Sequence, residues 1–188
     1  MTRVVVAMTG ASGAAIGLRV LELLRTLPGM QTHLVLSAAA ERTLAHEVGV
    51  EAAERARMLA HVAHAIDDIG ASIASGSFAS AGMLVVPCSM HSLGAIAAGI
   101  ADNLIVRAAD VHLKERRRLV LMTRETPLHL GHLRNMVAVT EMGAIVMPPV
   151  PAFYNLPLSV DDIVDQLAAR AIDLLGMPGS PLAREWRG

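Results

Sequence analysis

The sequence predicts an α/β fold in which a mainly parallel sheet is wrapped on both faces by helices. Three observations predict it. Short apolar runs alternate with segments of helical periodicity from end to end, the connections between them are short, and no internal repeat or linker divides the chain. The 188 residues suit a single domain, 1–188, with residues 176–188, rich in Pro and Gly, as a C-terminal arm that docks on it.

Each element has its own signal. Residues 4–8 (Val-Val-Val-Ala-Met) read as a buried strand, followed by a Gly-rich turn and a helix over 14–27. Residues 32–36 read as a second strand, with a helix running to 47 and another over 50–59. A weak strand is expected over 61–65, and the Ser-, Gly- and Asp-rich stretch 67–80 reads as a loop. Residues 83–86 form a strand that Pro87 is expected to stop, and helices follow over 89–98 and 106–117. Then come a strand over 119–122, a helix over 130–141, a strand over 144–147 and a helix over 160–175.

Composition excludes several function classes. Hydrophobic residues make up 53% and charged residues 18%, which argues against disorder. Aromatic residues are only 2%, so Ala, Val, Leu, Ile and Met must build the core. So much apolar content on a chain this size points to surface buried between subunits. A net charge of −1 lacks the basic face that nucleic acid requires. The one cysteine, Cys88, permits no internal disulfide and fits a reducing compartment. The first apolar run is too short for a signal peptide and no stretch is long enough to span a bilayer, so the expected location is the cytoplasm, with no membrane partner.

Parallel sheets of this kind bind ligands beyond the carboxyl ends of their strands. The residues there are Gly10-Ala11-Ser12-Gly13, Ser37, Cys88-Ser89, Arg124-Glu125 and Tyr154, and they are expected to gather along one edge. Thr9-Gly10-Ala11-Ser12-Gly13 follows a strand and opens a helix, a context for phosphate or flavin contact; the alternative is a tight turn with Ser12 as an N-cap. Pro87-Cys88-Ser89-Met90-His91-Ser92 repeats the geometry, with plain capping again the alternative, and Cys88 beside His91 offers a less favoured nucleophile and base.

Residues 107–118 hold the main basic cluster, with Arg107, Val111, Lys114 and Arg118 on one helix side and Asp110 placed to pair with Lys114. Lys114 is the only lysine, and Arg124 ends the next strand, so an anion site competes with a solvated charged face. Residues 148–157 form a Pro-rich stiff loop that holds the only Tyr, Tyr154, and reads as a ligand wall, a subunit contact or plain packing. His61 with His64, and His129 with His132, are spaced three apart, but no carboxylate or thiol set completes either pair, so no metal site is expected.

Taken together these segments resemble the UbiX-like family of flavin prenyltransferases. The resemblance rests on Thr9 to Gly13, Thr32 to Ser37, Ala74 to Phe78, Pro87 to Ser89, Arg107 to Val111, Leu113 to Arg117, Arg124 to Leu128 and Met147 to Tyr154, in the family's order along nearly the whole chain. It implies a flavodoxin-like, Rossmann-type three-layer sandwich, FMN as cofactor and assembly into homododecamers. It also implies metal-independent transfer of the dimethylallyl group of dimethylallyl phosphate to N5 and C6 of reduced FMN. The product would serve a UbiD-type decarboxylase in ubiquinone synthesis or aromatic acid decarboxylation.

Carried over by motif, Gly10, Ala11, Ser12, Ser37, Ser89, Met90, His91, Ser92 and Arg124 are expected to contact FMN. Tyr154 and Arg170 are expected to hold the substrate phosphate with Arg107, Lys114, Arg124 and Glu125, some of them from neighbouring subunits. Ser12, Glu47, Lys114 and Glu125 are the expected catalytic residues, with Ser12 and Glu47 handling protons at N5. The chain departs from common family patterns at Ala38 (often Lys), at His91-Ser92 (often Lys-Thr), near Ile69 (Trp in some) and at Glu185 (Arg before the tail Trp), which bears on flavin packing more than on the reaction. Competing readings are an oxidative cysteine decarboxylase of the same superfamily, a non-catalytic FMN carrier or decarboxylase subunit, and a simple FMN redox protein.

Overall fold

The computed structural model describes residues 1–179 and 181–186; residues 180, 187 and 188 of the expected arm lie outside the described residues. Its strands are β1 (Thr2–Met8), β2 (Met30–Leu36), β3 (Val62–His64), β4 (Gly82–Cys88), β5 (Arg118–Thr123) and β6 (Ile145–Val146). Its helices are α1 (Ala14–Thr26), α2 (Ala38–Glu47), α3 (Ala52–Leu59), α4 (Met90–Ala97), α5 (Leu104–Lys114), α6 (Leu130–Glu141) and α7 (Val160–Asp173). All strands pair in parallel in one six-stranded sheet of order β3-β2-β1-β4-β5-β6. This is the doubly wound Rossmann order, and its direction reverses between β1 and β4.

Strict alternation along the strands fills two cores. Val4, Val6 and Met8 pack with α1, α3 and α7 on one face, whereas Val5 and Ala7 pack with α4, α5 and α6 on the other. Helix α1 lies tight on the sheet because Gly17 has no Cβ; one added there would run into the Val86 carbonyl.

Several boundaries differ from the sequence reading. Strand β4 runs through Pro87 to Cys88, with a register shift against β5 between Val85 and Cys88 that accommodates the missing N–H. Helix α5 starts at Leu104 because the Asn103 side chain caps the Ile105 and Val106 N–H groups. It stops at Lys114: Arg116 turns the chain with φ 56°, and Arg118 opens β5 and so does not share a helix face with Arg107 and Lys114. The expected pairing of Asp110 with Lys114 gives way to Asp110 with Arg107 at 2.7 Å, and Lys114 pairs with Glu115.

The described part of the C-terminal arm folds back along α7. Asp173 accepts hydrogen bonds from the Leu182 and Ala183 N–H groups at 2.8 and 3.0 Å, and Gln166 accepts one from Arg184 at 3.0 Å.

Candidate active site

At the reversal point between β1 and β4, the strand ends are laced together. The Thr9 hydroxyl donates to the Pro87 carbonyl (2.9 Å) and accepts from the Ser89 N–H (2.7 Å). The Ser37 N–H donates to Met8 at 3.1 Å, and the Arg124 N–H donates to Cys88 at 3.2 Å. These bonds bring the Gly10–Ser12 turn, Ser37, Ser89 and Arg124 to one edge, as the sequence predicts. Gly10 is required there, since a Cβ would collide with that of Ala39.

Three helix N-termini open on this edge, and their donors are assigned differently. Ser37 caps the Ala40 N–H at 3.0 Å and Ser89 caps that of Ser92 at 3.3 Å, so both serines are caps as well as ligand candidates. Within the first turns, the N–H groups of Ala38, Ala39, Met90 and His91 have no partner inside their own helices. Helix α1 is different. Its N-cap is Gly13, at φ 107°, and not Ser12. The Glu47 carboxylate accepts the Gly13 and Ala14 N–H groups, so two of the donors at the start of this helix are occupied by a side chain.

Burial raises the Glu47 pKa, but the Ser12 hydroxyl, the Ala14 and Gly13 N–H groups and the Arg124 guanidinium together outweigh it and hold the carboxyl below its usual value. Ser12, the two N–H groups and Arg124 therefore all favour the ionised Glu47 carboxylate at the mouth of the edge. Glu125 is exposed next to Arg124, and its carboxylate accepts the Thr126 N–H at 3.0 Å. Cys88 is fully buried, and burial pushes its thiol up to about 12, which removes it as a nucleophile for His91.

Tyr154 does not join this edge. It lines a separate cavity of about 550 Å³ with Arg170, Gln166, Arg184 and Trp186. The Tyr154 and Trp186 rings meet edge to face at 5.1 Å. The docked arm thus completes a pocket with two guanidinium groups and two aromatic rings. Arg184 and Trp186 are absent from the residues that sequence reasoning selects; the signal was the only Trp of the chain standing two positions from an Arg in a tail otherwise read as an arm.

Lys114 is placed elsewhere again. Helix α5 begins where the Leu104 N–H bonds the Ile66 carbonyl, just past the end of β3, and finishes beside the start of β5. Arg107 is therefore near the carboxyl edge of the sheet and Lys114 near its amino end. Lys114 and Glu115 sit against Gly76, where an added Cβ would come within 2.7 Å of the lysine Nζ. Arg117 holds this loop in place by donating to the Gly76 and Phe78 carbonyls at 2.6 Å each. A single chain accordingly holds three groups apart: the Ser12–Glu47–Arg124 edge, the Tyr154–Arg170 cavity and the Lys114 corner.

The histidine pairs have structural partners. His61 accepts from the Thr32 N–H at 3.1 Å, His64 bonds His33 at 2.9 Å, and His129 caps α6 through the Gly131 N–H at 3.0 Å. Among the described residues no group of three or more His, Cys, Asp or Glu side chains is placed to hold a metal ion, and no helix is long and apolar enough to cross a membrane.

The family described as Flavoprotein matches residues 1–172. The chain is 55% identical to a probable UbiX-like flavin prenyltransferase of Streptomyces sp. (strain D7) over 186 residues, covering 99% of this chain and 92% of that relative. It superposes on the dodecameric FMN-dependent UbiX-like decarboxylase from Escherichia coli O157:H7 with a TM-score of 0.93 and 48% identity over 100% of both chains. It is equally similar to AnUbiX (PadA1) in complex with FMN and dimethylallyl pyrophosphate, with a TM-score of 0.94 and 50% identity, covering 100% of this chain and 98% of that one.

Proposed function

The chain belongs to the UbiX-type flavin prenyltransferases, and from that premise we propose that it joins the dimethylallyl group of dimethylallyl phosphate to N5 and C6 of reduced FMN. The observation that carries this reading is the edge at the β1–β4 reversal, where the first turns of α2 and α4 open beside Gly10, Ser37, Ser89 and Arg124.

The residues present fit the cofactor. Gly10 leaves room that a Cβ would fill, and Ser37, the Ser89–Ser92 turn and Arg124 offer donors to a phosphate and to polar ring edges. Bound in reduced form, FMN supplies the nucleophilic atoms that accept the prenyl group. Glu47, held ionised and oriented by the Gly13 and Ala14 N–H groups, is suited to take a proton rather than give one, with Ser12 as its partner in proton handling. Arg107, Lys114, Arg170 and Tyr154 are the groups that would grip the substrate phosphate as the allylic C–O bond breaks and its electron pair leaves with the phosphate. One proton is displaced in the exchange and departs with the phosphate as hydrogen phosphate, and Glu125 would relay it.

No single chain brings those phosphate ligands together, so the reading requires subunit contacts. Supporting this, Leu130, Leu133 and Val137 of α6 and Val150, Phe153, Leu156 and Leu158 of the following loop are all exposed. A homododecamer, as in the E. coli structure, would cover them. A UbiD-type decarboxylase as recipient of the product, a cytoplasmic location and a single domain over 1–188 complete the proposal.

The test is to incubate the protein with reduced FMN and dimethylallyl phosphate and weigh the released flavin. Gain of one C5H8 unit supports the enzyme; an unchanged flavin mass favours a decarboxylase or redox flavoprotein. Glu47→Gln and Lys114→Met separate an enzyme from a carrier. Loss of the mass gain with FMN still bound marks an enzyme, and undiminished activation of the decarboxylase by both variants marks a carrier.

A further inference from the structure

We infer that Thr9 is a positioning residue for the cofactor. Its hydroxyl holds the N–H end of the Cys88–Ser89 peptide, whose carbonyl end accepts the Arg124 N–H at 3.2 Å, and so completes the alignment of the first turn of α4 toward FMN. The inference rests on FMN occupying the β1–β4 edge. Thr9 is 3% exposed, so its hydroxyl is shielded from solvent and committed to two backbone partners. One is the Pro87 carbonyl at 2.9 Å, the other the Ser89 N–H at 2.7 Å. A further bond, from the Thr9 N–H to the same Pro87 carbonyl at 3.1 Å, fixes the turn from the other side.

The geometry divides the donors of this segment. Ser89 gives its N–H to Thr9, and its hydroxyl accepts from the Ser92 N–H at 3.3 Å. What remains for a ligand is the Met90 and His91 pair of N–H groups, and their orientation follows from the peptide that Thr9 holds. After the β4 register shift between Val85 and Cys88, the β5 side holds the Cys88 carbonyl through the Arg124 N–H, and the Ser89 N–H at the other end of that peptide is held by Thr9. The hydroxyl spans the one point where the sheet order reverses, tying the loop after β1 to the loop after β4. Isosteric removal of the hydroxyl leaves the Ser89 N–H a buried donor without its acceptor and removes one donor from the Pro87 carbonyl, and the Cys88–Ser89 peptide is then held at its carbonyl end alone.

The test compares Thr9→Val with Thr9→Ser by FMN titration well below the unfolding temperature of each, with the wild type as control. The expected result is a Kd for FMN raised about tenfold in Thr9→Val and restored to within about twofold by Thr9→Ser. Equal FMN affinity in wild type and Thr9→Val, with only a lower unfolding temperature, overturns the inference. So does a Thr9→Ser protein as impaired as Thr9→Val. A wild type that leaves FMN unbound overturns the cofactor reading itself, and this inference with it. Amide exchange on the wild type covers the case in which Thr9→Val does not fold. The Ser89 amide should be protected without FMN, and those of Met90 and His91 only after FMN is added. A Ser89 amide that exchanges freely until FMN is added overturns the inference.

Discussion

Glu47 lays its carboxylate over the first turn of α1, accepting the Gly13 N–H at 3.0 Å and the Ala14 N–H at 2.9 Å. Glu47 ends α2, so this contact also ties the second crossover helix to the first across the mouth of the site. Two of the N–H groups at the helix end after the Gly-rich turn are thus already bonded to a negative charge that is the protein's own.

Replacing Glu47 with Gln should keep FMN bound and stop prenyl transfer, since the amide retains the shape and loses the proton acceptor. Loss of charge at the helix end should cost about 0.3–1 kcal/mol of stability, readable by urea unfolding. The folded pKa of Glu47 is depressed, so its contribution is complete above its unfolded pKa and disappears as pH falls through the lower folded value. Wild type and Glu47→Gln should therefore differ in stability at neutral pH and converge in strong acid. A difference that stays constant with pH would show that the carboxylate charge is not the stabilising element.

His112 predicts a second acid response. It is 1% exposed, accepts from the Ser80 hydroxyl at 2.8 Å and donates to the Ala108 carbonyl at 2.7 Å, and burial lowers its pKa to about 4. His33, buried beside His64, is lowered to about 4 as well. A histidine with a depressed folded pKa is held neutral, and the unfolded chain takes up its proton first as pH falls below about 6.5. Stability should thus fall between about pH 6.5 and 4, with His112 contributing at most about 3 kcal/mol. His112→Gln should flatten part of that slope in thermal unfolding across this range; an unaltered slope would contradict the assignment.

The architecture is legible in the sequence because its signals are local. Buried parallel strands are continuous apolar runs such as Val4 to Met8, and turns carry Gly and Pro. The edge at the strand ends follows from topology, which is why Gly10, Ser12, Ser37, Ser89 and Arg124 are found together. Other features depend on contacts distant in sequence. Nothing in the chain's local pattern says that Glu47, 34 residues from Gly13, will cap α1 in place of Ser12. Likewise the positive φ of Arg116 is set by the turn into β5, and it removes Arg118 from the helix face that periodicity alone assigns. The separation of Lys114 from Tyr154 was visible only as an allowance for neighbouring subunits.

Trp186 should matter for the prenyl donor and not for the flavin. It closes the Tyr154–Arg170 cavity by its edge-to-face contact, and Asp173 anchors the arm that carries it. Trp186→Ala should raise KM for dimethylallyl phosphate about tenfold, in line with loss of one aromatic contact, with little change in the Kd for FMN. Asp173→Asn should weaken the arm and move KM in the same direction. Unchanged KM in both variants would remove the arm from the substrate site.

If one working site is assembled from side chains that a single chain keeps apart, two inactive variants should complement each other when they co-assemble. Lys114→Ala and Arg170→Ala, each expected to lose at least about a hundredfold in kcat/KM, would be co-expressed with different tags and the mixed oligomers isolated. Mixed oligomers should regain prenyl transfer well above either variant alone, because some sites then receive Lys114 and Arg170 from different subunits. Mixed oligomers no more active than the separate variants would contradict it.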